Sequence, residues 1–329
     1  MGITIKEIAR ITGTSLTAVS FVLNGKDSGA VSAPKKDLIL KAIEKYGYKQ
    51  NNLARGLQAK RTFHIAICVR GFFDEYPLLG NFSTHEAISR MMRRFTERGY
   101  SAEWLQIDAR ASARDTVKVL TSASVDGFLF VKWEREQIEK IVPTLSKKGI
   151  RAVCLNTSLD SKVIPWCGYS LAKAAEAGTQ YLIDAGRKKI ALLDYLAGEH
   201  APHRDGYLKA MRRNRLKPLV HVESPERRVD NVARIARELI DAHPDIDGIL
   251  STENFYSMFV SQVIRGKDIL LVSIGDTCFA ELQQPKMVHL SLPMRAMADW
   301  CAQTLVDRIE AREPLPATHK IFDCDLIDK

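Results

Sequence analysis

From residue 63 onward, short apolar runs alternate with amphipathic stretches of helical period. The apolar runs fall at 63–69, 102–107, 127–131, 151–155, 189–194, 219–223, 248–251, 269–274 and 320–326. The stretches between them include helices over 84–98, 137–148 and 171–185, each closed by a glycine (Gly99, Gly149, Gly186), and over 229–242. A strand that is apolar almost throughout must be covered on both faces, and helices between successive strands supply that cover. The pattern therefore predicts parallel sheets. Roughly 265 residues of it exceed one compact sheet, which predicts two α/β lobes.

The first fifty residues follow a different rule. Thr4-Ile5-Lys6-Glu7 has the form of a capping box, and Ile5, Ile8 and Ala9 continue it at helical spacing to about Ile11. Gly13 breaks the chain and Ser15 is placed to cap a second helix. Leu16, Val19, Val22 and Leu23 then share one side of it until Asn24-Gly25. A third helix over 34–46 puts Leu38, Ile39, Ala42 and Ile43 on one face and stops at Gly47. Three short helices around one small core are expected. The polar stretch 49–62 separates the two regimes, giving three parts: an all-α head at 1–48, a linker at 49–62 and an α/β body at 63–329.

Charge follows the same division. Residues 1–61 hold eight Lys and three Arg against four acidic residues, net +7 of the chain's +9. A polyanion-binding tip on a nearly neutral body has this distribution, because neutralising phosphates releases their counterions. The six cysteines are scattered without a Cys-x-x-Cys pair, which reads as reduced buried thiols. Ser83-x-x-Glu86 reads as a further capping box. His85-Glu86 opens like a zinc-protease motif, but Ser89 stands where the second histidine would be. No dinucleotide fingerprint, phosphate loop or serine elbow is found. No cofactor, metal or catalytic residue is expected. No apolar run reaches the roughly 18–20 residues that a membrane span needs, and charges interrupt the N-terminus where a signal peptide would be apolar, so a cytoplasmic location is expected.

The spaced segments TIKEIARITGTSLTAVSFVLNG, Val31-Ser32, AIEKYGY at 42–48 and NNLARGL at 51–57 resemble the DNA-binding head of the lac-repressor and purine-repressor family. The resemblance covers most of residues 3–62. It implies a helix-turn-helix whose second helix enters the major groove of double-stranded operator DNA. By this resemblance Leu16, Thr17 and Phe21 face bases, whereas Ser15, Ser20, Asn24, Ser32 and Tyr48 contact the backbone. Phe21 replaces the usual arginine, which removes a bidentate guanine contact and favours a thymine methyl. Lys35-Lys36 replaces the usual Thr-Arg and keeps the attraction to phosphate with another geometry. The segment from Asn51 to Leu57 corresponds to the family's hinge helix. In it Leu57 wedges into the minor groove and Ala54 allows two such helices to approach.

The body resembles, more loosely, the periplasmic-binding-protein type of effector domain: two α/β lobes around a cleft. Val125-Asp126-Gly127, Leu182-Ile183-x-x-Gly186 and Arg204-x-Gly206-Tyr207 carry that resemblance. It implies a small-molecule effector, of the sugar or polar-metabolite kind, bound by Arg204, Glu253, Asp276 and Phe73. The family's effector-binding aspartate aligns on Asp276 or one place earlier on Gly275. Phe72 and Phe73 either stack on a sugar or line a core. No leucine heptad follows the last strand, so a homodimer is expected. Two rival readings stand beside this one, a small-molecule-binding protein whose head no longer holds DNA, and an enzyme that uses the cleft.

Overall fold

The computed structural model describes residues 3–23, 30–48, 61–70, 82–108, 110–131, 133–194, 202–222, 229–275 and 287–327. The chain divides into two compact units, Met1–Phe63 and His64–Lys329.

The first unit holds α1 (Ile5–Ile11), α2 (Leu16–Leu23) and α3 (Ala33–Tyr46). The predicted capping box is formed: the Thr4 hydroxyl accepts from the Glu7 amide (3.3 Å) and the Glu7 carboxylate accepts from the Thr4 amide (2.7 Å). Gly13, at φ 59°, makes the turn that separates α1 from α2. The Ser15 hydroxyl then accepts from the Ala18 amide at 3.1 Å and starts α2. Gly47, also left-handed, ends α3, and the Tyr48 amide donates back to the Ile43 carbonyl at 3.0 Å. Ile8, Val19 and Ile39, one from each helix, are fully buried together and are joined by Ala9, Val22, Val31 and Ala42.

The second unit begins with β1 (His64–Arg70), α4 (Phe82–Glu97), β2 (Ser101–Ile107), α5 (Ala113–Ser122), β3 (Gly127–Val131), α6 (Arg135–Lys147), β4 (Ala152–Leu155) and β5 (Trp166–Tyr169). It continues with α7 (Leu171–Asp184), β6 (Ile190–Asp194), α8 (Pro202–Arg213), β7 (Leu219–Val222), α9 (Val229–Ala242), β8 (Gly248–Ser251), α10 (Asn254–Val263), β9 (Leu270–Ile274) and β10 (Val288–Ser291). The last elements are α11 (Met294–Glu310), β11 (His319–Phe322) and β12 (Asp325–Ile327). Two six-stranded sheets result, ordered β11-β5-β4-β3-β1-β2 and β12-β10-β9-β8-β6-β7. All pairings are parallel except β10 with β12. In the second sheet Ala191, Leu193, Ile249 and Leu271 serve one core, and their neighbours Ile190, Leu192, Leu250 and Val272 serve the opposite one. Double-faced burial of this kind is what the near-continuous apolar runs require.

Three differences from the sequence reading have physical causes. β5 and β10 are four-residue strands that carry a glycine or polar residues, so neither stands out as an apolar run. The run at 320–326 is not one strand, because it breaks at Asp323-Cys324 and its halves join different sheets. The Ser83-x-x-Glu86 pattern does not cap a helix, since α4 already begins at Phe82; the Glu86 carboxylate accepts from Arg295 Nε at 2.5 Å instead.

The chain passes between the sheets after β5, after β10 and after β11. α11 belongs with the first sheet because Met297, Cys301, Leu305 and Ile309, each one turn apart, form a buried stripe on it. Beneath that stripe lies Gly127, where a Cβ would come within 2.8 Å of Ile309. In the second lobe α8 lies against α7 at backbone distance: a Cβ on Gly206 would sit 1.9 Å from the Ala172 carbonyl oxygen.

Ion pairs also tie α4 to α11. Asp299 accepts from Arg90 Nε and Nη2 (2.8 and 2.6 Å) and from Arg94 Nε (2.8 Å), and the Arg90 contact foremost draws its carboxyl down to about 2. A depressed carboxyl stabilises the fold above its unfolded value of 3.8, and that contribution is lost as pH falls through about 2. Asp299 is 33% exposed, so Asp299→Asn should cost about 0.5–1 kcal/mol at neutral pH. Urea midpoints compared between pH 7 and pH 2 should fall less steeply in the variant; a parallel decline would remove this link. No helix among the described residues is long and apolar enough to cross a membrane.

Candidate functional site

The exposed face of the first unit is laid out by the caps described above. α2 turns Val19 and Val22 into the core and leaves its first residues outside, with Leu16 44% exposed and Ser15 and Thr17 exposed. Ser20 is half-buried. Phe21 is also half-buried and packs on the head core, so only part of its ring faces outward. Ser15 is already engaged as a cap. Ser32 stands at the N-cap of α3 without a side-chain capping bond, and Lys35 and Lys36 are exposed on the first turn that follows. A helix N-terminus flanked by two ammonium groups and a hydroxyl attracts phosphate. Tyr48 packs on the core and is half-buried, and burial raises its phenol pKa. Asn24, Asn51, Ala54 and Leu57 lie outside the described residues.

In the second unit the strand orders set the candidate ligand position. The connection reverses direction between β1 and β3 in one sheet and between β6 and β8 in the other, and in open α/β sheets ligands bind at the carboxyl ends of such strands. At the β1/β3 ends, Arg70 Nη2 donates to the Ala111 carbonyl (2.7 Å) and its guanidinium lies 5.4 Å from the Trp133 ring centre. The Trp133 indole in turn donates to the Cys68 carbonyl at 3.0 Å.

The β6/β8 ends carry a buried polar cluster. Asp194, the last residue of β6, is 1% exposed and accepts from Thr252 Oγ1 at 3.3 Å. His203, in the first turn of α8, is 2% exposed and places Nδ1 3.7 Å from the same Asp194 oxygen. Beside them Ser257 Oγ lies in hydrogen-bonding contact with Ser251 Oγ and Ser273 Oγ, both at 2.8 Å. Asn254, buried at the start of α10, packs against Gly275 at φ 96°.

Of the residues singled out from sequence for the effector, Arg204 adjoins this cluster but is half-buried, one position round the helix from His203. Glu253 is the N-cap residue of α10, where its carboxylate adds to the burial that raises the Tyr169 phenol. Tyr169 ends β5, so the two approach each other at a crossing between the sheets. Asn156, which hydrogen-bonds Tyr169, is held at φ 58°, a strained conformation for a residue with a side chain. Phe72, Phe73 and Asp276 lie outside the described residues.

Sequence reasoning did not single out His203, Asp194, Thr252 or Trp133. The one available signal was position, since Asp194 ends a strand, Thr252 and Trp133 come just after one, and His203 opens the next helix. A cavity of about 390 Å³ lies elsewhere, between α4 and α11, lined by Arg94, Glu97, Arg98, Asp299, Ala302 and Gln303. Its charges are spent on one another, and we give it no ligand. No group of three or more His, Cys, Asp or Glu among the described residues is arranged to hold a metal ion.

Comparison with known proteins bears on both units. Residues 4–51 match the model for bacterial regulatory proteins of the lacI family, and residues 84–305 match that for periplasmic binding proteins and the sugar binding domain of the LacI family. The HTH-type transcriptional regulator CelR of Thermobifida fusca is 25% identical over 337 residues, covering 95% of this chain and 94% of that protein. The NTD biosynthesis operon regulator NtdR of Bacillus subtilis is 31% identical over 213 residues, covering 63% and 60%. Among solved structures, a CelR–cellobiose complex superposes with a TM-score of 0.68 at 22% identity over 99% of this chain and 98% of that one. The lac repressor dimer bound to operator and the anti-inducer ONPF gives 0.72 at 16% identity over 100% and 98%.

Proposed function

Because the chain belongs to the lacI family of bacterial regulatory proteins, with the family's effector-domain model matching two thirds of its length, we propose that it is a transcription regulator whose hold on operator DNA is set by a small polar effector. The supporting observation is the first unit: a capped helix-turn-helix whose second helix buries Val19 and Val22 and presents Leu16 and Thr17 outward. Residues 1–48 are the DNA-binding head, 49–62 the hinge and 63–329 the effector-binding and dimerising body. The protein acts in the cytoplasm as a homodimer on a near-palindromic site and represses. It is not an enzyme; the relatives that match its whole length are named as regulators. Ser15, Ser20, Asn24, Ser32, Lys35, Lys36, Tyr48 and Asn51 position the head on the backbone. Leu16, Thr17 and Phe21 read base edges, and Ala54 and Leu57 serve the minor groove. Arg204, Glu253, Asp276 and Phe73 serve the effector. A sugar is the effector class in keeping with the family's sugar-binding domain and the cellobiose bound by the structural neighbour.

Base and phosphate contacts are separated by substitution. Lys35→Ala or Lys36→Ala should weaken binding to all duplexes equally and make the salt slope shallower by about 1 for each phosphate that the variant no longer neutralises. Leu16→Ala should instead narrow the preference for operator over random duplex, by about 1 kcal/mol per contacted base pair, with the salt slope unchanged. Anisotropy titrations of the full chain at three salt concentrations read both. If Lys35→Ala leaves the slope intact, the phosphate assignment is wrong.

A further inference from the structure

Residues 187–217 hold nine Lys and Arg against three acidic residues, whereas the whole of residues 62–329 carries a net charge of only +2. Five of the nine fall between Lys209 and Lys217, with no acidic residue among them. The fold gathers them into a ridge at one end of the second lobe. Ala191 on β6 pairs with Leu219 on β7. Lys189 and Lys217 each lie two residues before those positions, at the amino ends of strands about 4.8 Å apart. Arg215 stands in the turn from α8 into β7, and Arg212 in the last turn of α8. Asp194 and the candidate effector position lie at the opposite, carboxyl ends of the strands.

Some of these charges are spent locally. Arg187 pairs with Asp268 at 2.9 Å, Lys189 with Asp245 at 3.1 Å, and Lys209 and Arg213 share Glu176 at 2.8 and 3.4 Å. Asp247 accepts from the backbone amides of Lys188 and Lys189, and Asp184 from the Gln180 amide group. The side chains of Lys188, Arg212, Arg215 and Lys217 are exposed and have no hydrogen bond or ion pair among the described residues. The negative end of α8 favours Arg212, but Arg215 and Lys217 come after the helix. Arg215 is also held at φ 57°. It closes α8 as Gly47 closes α3: its amide donates to the Arg212 carbonyl (3.0 Å) and the Leu216 amide to the Met211 carbonyl (2.9 Å). Glycine takes this conformation freely, so an arginine here is kept against the preference of its backbone, a cost that points to a use.

Resting on the reading of the chain as a DNA-bound regulator, we propose that the ridge is a second DNA contact, which holds the phosphate backbone of duplex outside the operator without regard to sequence. None of the exposed large apolar side chains among the described residues lies within 187–217. A protein partner would call for an apolar or aromatic anchor, and a membrane surface for an apolar face to insert. A line of phosphates calls for neither. Duplex DNA carries one negative charge per about 1.7 Å, and each phosphate neutralised releases a counterion. The guanidinium forks of Arg212 and Arg215 suit phosphate oxygens. The ridge is made of strand starts and a turn and offers no element to enter a groove, so it grips the backbone and reads no bases. A chain whose head is engaged on one duplex thereby retains a second.

The test uses the full chain saturated with a short unlabelled duplex that the protein has itself enriched. A labelled duplex of scrambled sequence is then added, and anisotropy is read at several salt concentrations. The parent complex is expected to take up the scrambled duplex with a Kd of about 1–100 µM, weakening steeply as salt rises. Lys188→Ala, Arg212→Ala, Arg215→Ala and Lys217→Ala combined should weaken it at least tenfold and make the salt slope shallower by about 3–4. The same variant should hold the enriched duplex within threefold of the parent chain. A charge-matched control on the first lobe, Lys118→Ala, Lys147→Ala, Lys148→Ala and Lys162→Ala combined, should keep the scrambled duplex within threefold. Arg215→Gly alone should raise the Tm by about 2–4 °C and still weaken the scrambled duplex about threefold, whereas a residue that only closes α8 would leave binding unchanged. Poly-L-glutamate and vesicles of phosphatidylcholine and phosphatidylserine in equal parts are offered to the same complex. Tighter binding of either than of the duplex, equal losses in the control, or unchanged binding in the ridge variants overturns the proposal. If the parent chain holds the enriched duplex but takes up no second one, the ridge assignment falls and the regulatory reading stands; if it prefers no duplex, both fall.

Discussion

Val19→Asp is expected to abolish operator binding, by at least a thousandfold, while leaving the second unit folded. Val19 is fully buried with Ile8 and Ile39 in a core that has seven buried side chains among the described residues. A unit of about 60 residues buries little more than half of its unfolded surface and has only about 3–5 kcal/mol to spare. An unpaired buried carboxylate costs several kcal/mol, which is comparable to the whole margin. The head should therefore unfold on its own account. Differential scanning calorimetry and operator titration of the full chain read the two units separately: the transition of residues 64–329 should persist and specific binding should vanish. A Val19→Asp chain that still binds operator within threefold would mean that the three-helix core does not carry the DNA-reading surface.

The second large effect is one of sign. Glycine inside an exposed helix is about 1 kcal/mol worse than alanine, so Gly206→Ala on an open helix would stabilise α8. Here the added methyl would meet the Ala172 carbonyl oxygen at 1.9 Å and the Glu176 amide nitrogen at 2.9 Å, both of them backbone of α7. Backbone cannot swing aside as a side chain can, so α8 must lift from α7 and disturb Tyr207, which anchors it to the sheet. Overpacking against a rigid wall costs about 3 kcal/mol or more. For a unit of this size that lowers Tm by about 6–12 °C. A raised or unchanged Tm for Gly206→Ala would show that the two helices stand farther apart than backbone contact.

The fold was legible where burial leaves a one-dimensional trace. The strands at 127–131, 189–194 and 248–251 are apolar because each is covered on both faces, and the head betrays itself through caps and glycines at fixed offsets. What escaped notice lies where tertiary contacts act without such a trace. β10 is only four residues long, with Val288 and Leu290 alternating with His289 and Ser291, too short a run to stand out before its pairing with β9 and β12 is known. The division of β11 from β12 falls at Asp323-Cys324, where the chain changes sheet.

The same limit governs the effector residues. Arg204 and His203 are neighbours in sequence about 100° apart around α8, and resemblance to a family favours the arginine. Only the packing of Gly206 and Tyr207 shows which of the two turns toward Asp194. On α2 the buried Val19 and Val22 match the expected apolar side, whereas Leu16, which spacing alone puts on that same side, stands exposed at the start of the helix with Thr17.

The central claim is that the first unit recognises sequence in duplex DNA, and direct comparison of two affinities tests it. A duplex enriched by the full-length protein from a random pool should be titrated beside its scrambled counterpart at about 0.15 M salt. The account predicts binding at least about a thousandfold tighter to the enriched duplex, together with a steep fall in both affinities as salt rises. Equal affinity for the two duplexes across the salt range would contradict it.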